Sequence, residues 1–223
     1  MFATAHYTDW DLTQQLNTVI LFPVASRNRQ ESDKENLRQE IMDAAREMFV
    51  AEGYANVSMR KIADKIGYSA TTIYLYFKDR NDLLHQICEQ TFARLARNIK
   101  AIQQLSDNPM EKLRSGLREY IYFGLKHPSQ YEIVFITPLP KAVEKEFEET
   151  NGKIAFDTMR TVVAECISAN LLKNTDVELI SQTLWAGIHG VTSLLIKHGG
   201  FPFVERETLI DSMIDTLIGG IKA

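Results

Sequence analysis

The residues best placed to do chemistry lie between Ser58 and Arg80, in the stretch SMRKIADKIGYSATTIYLYFKDR. Two short helical patterns flank Gly67-Tyr68-Ser69, and each opens on a serine able to cap it, Ser58 and Ser69. Two short helices joined by a tight turn make a helix-turn-helix. Crossing helices need a small residue where they touch, and Ala63 supplies it. The turn needs a residue that tolerates positive φ, and Gly67 supplies that. Ile62, Ile66, Ile73 and Phe77 have the spacing to fill the wedge between the helices. The second helix then turns Ala70, Thr71, Thr72 and Tyr74 outward. These suit base edges, thymine methyls and phosphates in a DNA major groove, although Ala70 can offer only an apolar contact. Tyr74 and Tyr76 can donate to phosphates. Lys78 and Arg80 open the next helix, where backbone N–H groups also attract phosphate. Ser58 and Arg60 stand where the duplex backbone would pass.

These groups need a frame, and the pattern predicts a helical one from Ser32 onward. Ser32 or Asp33 can cap a first helix to about Glu52, with Leu37, Ile41, Ala44, Ala45, Met48 and Phe49 as its apolar stripe and Gly53 closing it. Short helices follow from Met59 to Ile66 and from Ala70 to Phe77. Asp79 opens a long helix to about Leu105, broken by Asn108-Pro109. Further helices are expected over 110–127, 129–137, 141–149, 152–172, 176–198 and 203–221. There is no alternating strand series and no repeat. The fold class is all-α: an N-terminal three-helix DNA-binding domain over 34–80 and a helical ligand-binding and dimerisation domain over 81–223. Residues 1–33 have no sustained helical period and read as an N-terminal extension, flexible or docked on DNA or a partner. Within it, Val19-Ile20-Leu21-Phe22 reads as a short strand or a docking segment.

The motif string resembles the TetR/AcrR family of transcriptional regulators. The matching residues are Ala45-x-x-x-Phe49-x-x-x-Gly53-Tyr54, then Ser58-Met-Arg-x-Ile-Ala-x-x-Ile-Gly-Tyr-Ser, then Thr72-Ile-Tyr-x-Tyr-Phe-Lys-x-Arg-x-Asp-Leu-Leu84. The resemblance spans residues 35 to about 95. It implies three N-terminal helices that read DNA and a divergent helical C-terminal domain that binds an inducer and dimerises. By position it implies base contacts at Ala70, Thr71 and Thr72, and phosphate contacts at Arg60, Tyr74, Tyr76, Lys78 and Arg80. Leu184-Trp-Ala-Gly-Ile-His-Gly-Val-Thr-Ser-Leu-Leu195 resembles the Trp–His–Gly signature of one C-terminal subtype of the family.

The last two helical patterns are apolar on more than one face, so each needs burial on two sides. A second copy of the chain is the expected cover, through Gly187, Gly190, Val191 and Leu194 on one helix and Ile210, Met213, Ile214 and Leu217 on the other. A core helix in a monomer is the alternative. Aromatic residues crowd the middle helices, and pockets are mostly apolar with a few orienting polar groups. The candidates for lining one are Tyr120, Phe123, Tyr131, Phe135, Phe156, Met159, Trp185 and His189, with His127 and Cys166 as further polar candidates. Such a pocket suits a small apolar or aromatic ligand. The acidic run Glu144 to Glu149 is expected as a solvated face, or as a guard at the pocket mouth.

Composition bounds the rest. The chain has 223 residues, 45% hydrophobic and 24% charged, which suits a soluble globular protein and excludes disordered and fibrous classes. Two cysteines, Cys88 and Cys166, make neither a disulfide framework nor a zinc site. His189 and His198 are nine residues apart with no third ligand near, so no metal is expected. No HExxH, GxSxG, P-loop or GxGxxG is present. Neither an enzyme nor a cofactor is therefore expected. The apolar run Val19 to Ala25 is too short for a membrane span, so the protein is expected in the cytoplasm. The net charge of −4 conceals an asymmetry: residues 58–80 carry five Lys/Arg against two Asp/Glu, whereas 81–223 carry 15 against 18. The reading is a ligand-responsive regulator, most simply a homodimeric repressor whose partners are a pseudo-palindromic double-stranded operator, a second copy and a small-molecule effector. The alternative is a helix-turn-helix dimer that binds DNA or protein without an inducer.

Overall fold

In the computed structural model, residues 11–138, 140 and 150–223 are described, with side chains described for Arg29 and from Glu31 onward. The described residues are almost wholly helical, with one isolated antiparallel bridge tying Leu172 to Lys222. The expected helix over 141–149, the acidic run within it and residues 1–10 lie outside the described residues.

Helix α1 spans Asp11–Glu52. It begins well upstream of the Ser32/Asp33 cap, and Val19–Phe22 is helical rather than a strand. A short continuous apolar run fits either state, so its pattern alone does not decide. From Arg38 onward α1 buries Ile41, Met42, Ala45 and Phe49. Gly53, at φ 81°, turns the chain into a 3-10 turn, Tyr54–Asn56. Helix α2, Met59–Ile66, starts at Ser58, whose side chain accepts from the Lys61 N–H, and ends at Gly67 in the left-handed region (φ 74°). Helix α3, Ala70–Tyr74, starts at Ser69, which accepts from the Thr72 N–H. It stops three residues before the expected Phe77. The chain instead loosens into overlapping turns, in which Tyr76 and Phe77 both donate to the Ile73 carbonyl (3.0 and 3.1 Å) and Phe77 stays buried.

Helix α4, Arg80–Gln103, is opened by Asp79. Pro109 begins α5, Pro109–Lys126, under an Asn108 cap. Helix α6 covers only Pro128–Tyr131 and passes into a π-helical turn, Glu132–Ile136. Helix α7 runs Asn151–Ser168, α8 Val177–Lys197 and α9 Arg206–Ile221.

Burial falls into two clusters. One joins α1, α2, α3 and the first turns of α4 through Ile41, Phe49, Ile62, Ala63, Ile73, Phe77, Leu84 and Ile87. The other joins the second half of α4 to α5, α6, α7, α8 and α9. The π-helical turn straddles both: Ile133 and Val134 belong to the first cluster, while Tyr131 and Phe135 contact the second. Close packing in the second depends on Gly124 of α5. A methyl group there would overlap the Thr192 side chain of α8 and lie 2.8 Å from the Tyr131 ring.

Candidate nucleic-acid interface and ligand pocket

The helix-turn-helix is held from inside by apolar residues and from outside by polar ties. Ile62, Ala63 and Ile73 are fully buried in the wedge, and the Tyr68 N–H closes α2 on the Ala63 carbonyl (3.0 Å). Lys61 is tied back to Glu52 (2.9 Å) and Lys65 to Glu47 (3.0 Å), so these two cations brace α2 against α1. The outward face of α3 then carries Thr71 and Tyr74 to solvent, Tyr74 with 54% of its surface exposed. Ser58, Arg60, Ser69 and Lys78 are exposed beside them, while Ala70, Thr72 and Tyr76 are half-buried. Thr72 is partly committed, since its hydroxyl pairs with that of Ser69 (2.9 Å). Sequence reasoning missed Tyr68 and Leu75 on this surface, both exposed, Leu75 at 76%. The signal was available: Leu75 lies two residues from Ile73, on the opposite side of a helical turn from the wedge.

Arg80 departs from its expected place on phosphate. Its guanidinium turns inward and donates to the carbonyls of Tyr54 (2.9 Å), Ala55 (3.3 Å) and Val57 (2.7 Å), lying over the Tyr54 ring at 4.2 Å. It thereby fixes the turn that leads into the Ser58 cap. Two backbone donors at the start of α4 are also taken within the chain. Asp82 accepts from the Lys78 N–H (2.7 Å), and Asp79 accepts from the Asp82 N–H (2.9 Å), so two carboxylates compete with phosphate for these two donors. The exposed Lys78 side chain remains the cation at this edge.

Above this domain, α4, α5, the π-helical turn, α7 and α8 enclose a cavity of about 920 Å³. Of the expected lining residues, Tyr120, Phe135, Phe156, Met159, Trp185 and His189 do face it. Phe123 and Tyr131 do not: both are buried behind the wall, Phe123 against the His127 ring (5.2 Å) and Tyr131 against Tyr120 and His189. His127 and Cys166 are also absent from the lining. His127 closes α5 by donating its N–H to the Phe123 carbonyl, and Cys166 is fully buried in the core. The sequence pattern missed the contribution of α4, which lines the cavity on one face from His85 through Phe92 and Ile99 to Gln103.

One polar cluster interrupts the apolar wall. The Trp185 indole N–H donates to Tyr120 Oη (3.2 Å), Tyr120 Oη lies 3.1 Å from Tyr131 Oη, and Tyr131 Oη lies 2.7 Å from His189 Nδ1. Burial lowers the His189 pKa below its ordinary value and raises those of Tyr120 and Tyr131, so all three are neutral at pH 7. Burial also pushes the Cys88 thiol, at the cavity edge, up to about 12, which leaves it unreactive at neutral pH. Among the described residues no group of three His, Cys, Asp or Glu side chains could hold a metal ion.

The expected dimer residues divide by position. Val191, Ile210 and Ile214 are buried within the chain, while Gly187 and Leu217 pack on each other and are half-buried. The apolar doubling of these helices had merged their internal seam with their outer face. Gly190, Leu194 and Met213 retain exposure. On α8 the outward stripe is Leu179, Thr183, Ala186, Gly190 and Leu194, at spacings of four, three, four and four residues. That helix is long and apolar enough to cross a membrane by length and composition, at a mean hydropathy of 1.3. Among the described residues, the stripe leaves one flank of it exposed.

Comparison with known proteins agrees with this architecture. Residues 41–87 match the family model for bacterial regulatory proteins of the tetR family. Residues 113–217, which include Leu184–Leu195, match the model for a tetracyclin repressor-like C-terminal domain. An HTH-type transcriptional regulator of Staphylococcus aureus is 29% identical over 101 residues, covering 45% of this chain and 54% of that protein. The chain thus spans about half the length of the curated relatives it matches. Among solved structures, the transcriptional regulator FadR from Bacillus subtilis in complex with stearoyl-CoA is similar over 82% of this chain and 98% of that one (TM-score 0.72, 20% identity). A TetR family regulator from Marinobacter aquaeolei is similar over 87% of this chain and 98% of that one (TM-score 0.69, 18% identity). At such identities these likenesses speak to fold.

Proposed function

The chain belongs to the TetR family of bacterial regulatory proteins, and from that premise we propose that it is a homodimeric, ligand-responsive repressor acting in the cytoplasm. It binds a pseudo-palindromic operator through residues 34–80 and releases it when an apolar ligand fills the cavity in 81–223. The observation that carries this reading is the cavity's place along α4. The first turns of that helix are packed into the DNA-side cluster and the rest line the cavity. A ligand that prefers one placement of α4 therefore shifts the spacing of two recognition helices, by no more than its differential affinity for the two placements. Coupling of about 1–3 kcal/mol changes DNA affinity 5–150-fold.

On the DNA side, Thr71 and Tyr74 face the groove with Ala70 and Thr72 behind them, and Arg60, Tyr76 and Lys78 meet phosphates. Ser58 and Ser69 serve as caps that aim the helices, and Arg80 as a positioning residue. A second copy covers the Leu179–Leu194 stripe of α8 and the outer face of α9, placing the recognition helices in major grooves about 34–36 Å apart.

The cavity favours an elongated ligand. Its lining on α4 runs from His85 to Gln103, about 27 Å at 1.5 Å per residue. Spread over that length, the 920 Å³ volume suits a single alkyl chain or a row of flat rings. The stearoyl-CoA bound by the similar FadR structure supports the alkyl reading. The test is fluorescence anisotropy of labelled DNA flanking the protein's own gene, with and without long-chain compounds. Saturable, salt-sensitive binding that a ligand reverses supports the proposal. Binding that no ligand changes favours an inducer-free helix-turn-helix protein.

A further inference from the structure

Helices α1 and α4 are joined by two short polar chains, and the chemistry of their ends fixes the direction of each. In the first, a guanidinium nitrogen of Arg38 donates to Gln86 Oε1, and Gln86 Nε2 donates to Asp82 Oδ1 (2.7 Å). The other Asp82 oxygen accepts from the Lys78 N–H (2.7 Å). Arginine only donates and a carboxylate only accepts, so one orientation of the Gln86 amide satisfies both neighbours. The backbone N–H of Lys78 likewise can only donate. The chain thus runs in one direction from α1, across α4, to the backbone of Lys78. A second contact reaches the same place: the Arg38 guanidinium lies over the Phe77 ring, 5.4 Å from its centre. The other terminal nitrogen of Arg38 faces Met42 Sδ (3.5 Å) and Glu35 (3.7 Å), so both are engaged within the chain.

These ties bear on DNA because Lys78 lies in a bend between α3 and α4, where no helical ladder sets its direction. Its side chain is exposed at the edge of the helix-turn-helix. We propose, resting on the DNA-binding reading above, that Arg38 and Gln86 are positioning residues for operator binding. They place the Lys78 ammonium on its phosphate through Asp82 and the Phe77–Lys78 backbone, and do not touch DNA themselves. The second chain is the natural comparison. One turn further along α4, Arg46 donates to Gln90 Oε1 (3.3 Å) and Gln90 Nε2 donates to Gln39 Oε1 (2.6 Å). Gln39 and Arg46 both then donate to Asp43 (2.9 and 2.5 Å). This chain ties the same two helices but ends on α1, with no path to Lys78.

The test is a set of double-mutant cycles on DNA affinity. Affinity is read by anisotropy of labelled DNA flanking the protein's own gene, with the full-length protein at several salt concentrations. Arg38→Met and Gln86→Leu keep much of the side-chain volume and break the chain. Each is expected to weaken binding about fivefold and to lower the slope of log affinity against log salt towards that of Lys78→Ala. In the Lys78→Ala background neither should weaken binding further or change the slope. Gln90→Leu should lower the thermal midpoint about as much as Gln86→Leu, leave the slope unchanged, and affect affinity equally in both backgrounds. A slope that falls by a further ~0.9 when Arg38→Met joins Lys78→Ala sets Arg38 itself on a phosphate and overturns the proposal. Additive losses with an unchanged slope also overturn it, because the chain is then a structural tie alone. If Arg38→Met fails to fold, the Gln86→Leu cycle decides. A wild-type protein that does not bind the DNA overturns the regulatory reading and the proposal with it.

Discussion

Three side chains at the DNA edge separate contact from positioning. Lys78 is exposed and Tyr74 more than half exposed, whereas Arg80 spends its donors on three backbone carbonyls. Lys78→Ala should weaken DNA binding and lower the slope of log affinity against log salt by about 0.9, one phosphate's worth of released counterion. Tyr74→Phe should weaken binding with no change of slope, because a phenol carries no charge. Arg80→Ala should also weaken binding with the slope unchanged, and should lower thermal stability as well, because three carbonyls lose their donor. An Arg80→Ala slope that falls like that of Lys78→Ala would return Arg80 to the phosphate backbone. His189 makes a separate prediction. Its folded pKa lies below the ordinary value of about 6.5, so between the two values the unfolded chain holds a proton the folded chain lacks. Stability therefore rises with pH across that window and falls as pH drops through it. Thermal unfolding at pH 5 and pH 7.5 should show the loss, and His189→Gln should reduce it.

Elements were legible where caps and breakers fix them. Ser58, Gly67, Ser69, Asp79 and Pro109 mark helix ends that the structure keeps. They were less legible where apolar residues serve two purposes. Val19–Phe22 fits helix and strand equally. Residues 70–77 look like one helix because Phe77 continues the stripe, although the chain after Tyr74 makes only turns. In α8 and α9 the same composition serves an inner seam and an outer face, and only the packing of Gly187 on Leu217 separates them. The aromatic wall of the cavity was readable as residue types, but Phe123 and Tyr131 could not be told from Tyr120 and Phe135 without the turn at 128–136 that sets them behind or beside the space. The element-scale prediction concerns Gly124, the point where α5 meets α8 and Tyr131. Gly124→Ala should destabilise the protein by about 1–3 kcal/mol through overpacking, read as a lower midpoint in urea. Gly190→Ala, where an added methyl meets nothing within 4 Å of its own chain, should leave the stability of a lone subunit unchanged. If Gly190 lies in the subunit contact, the same change should raise the dimer dissociation constant in sedimentation equilibrium.

At the scale of the whole molecule, a basic segment adjoins an acidic body. The local excess of three positive charges in 58–80 against a net −4 overall suits a protein that meets DNA with one end, as proposed. In the proposed dimer, two such segments would reach successive major grooves, with the cavity along α4 setting their separation. The family models locate the two halves in sequence, and the shared helix α4 joins them mechanically. The most direct test of this coupling is a reciprocal titration: the affinity of a long-chain ligand measured calorimetrically with and without saturating operator DNA. Linkage requires operator to weaken the ligand by the same factor, 5–150-fold for about 1–3 kcal/mol of coupling, by which the ligand weakens operator binding. Equal ligand affinity in the presence and absence of operator would contradict the account.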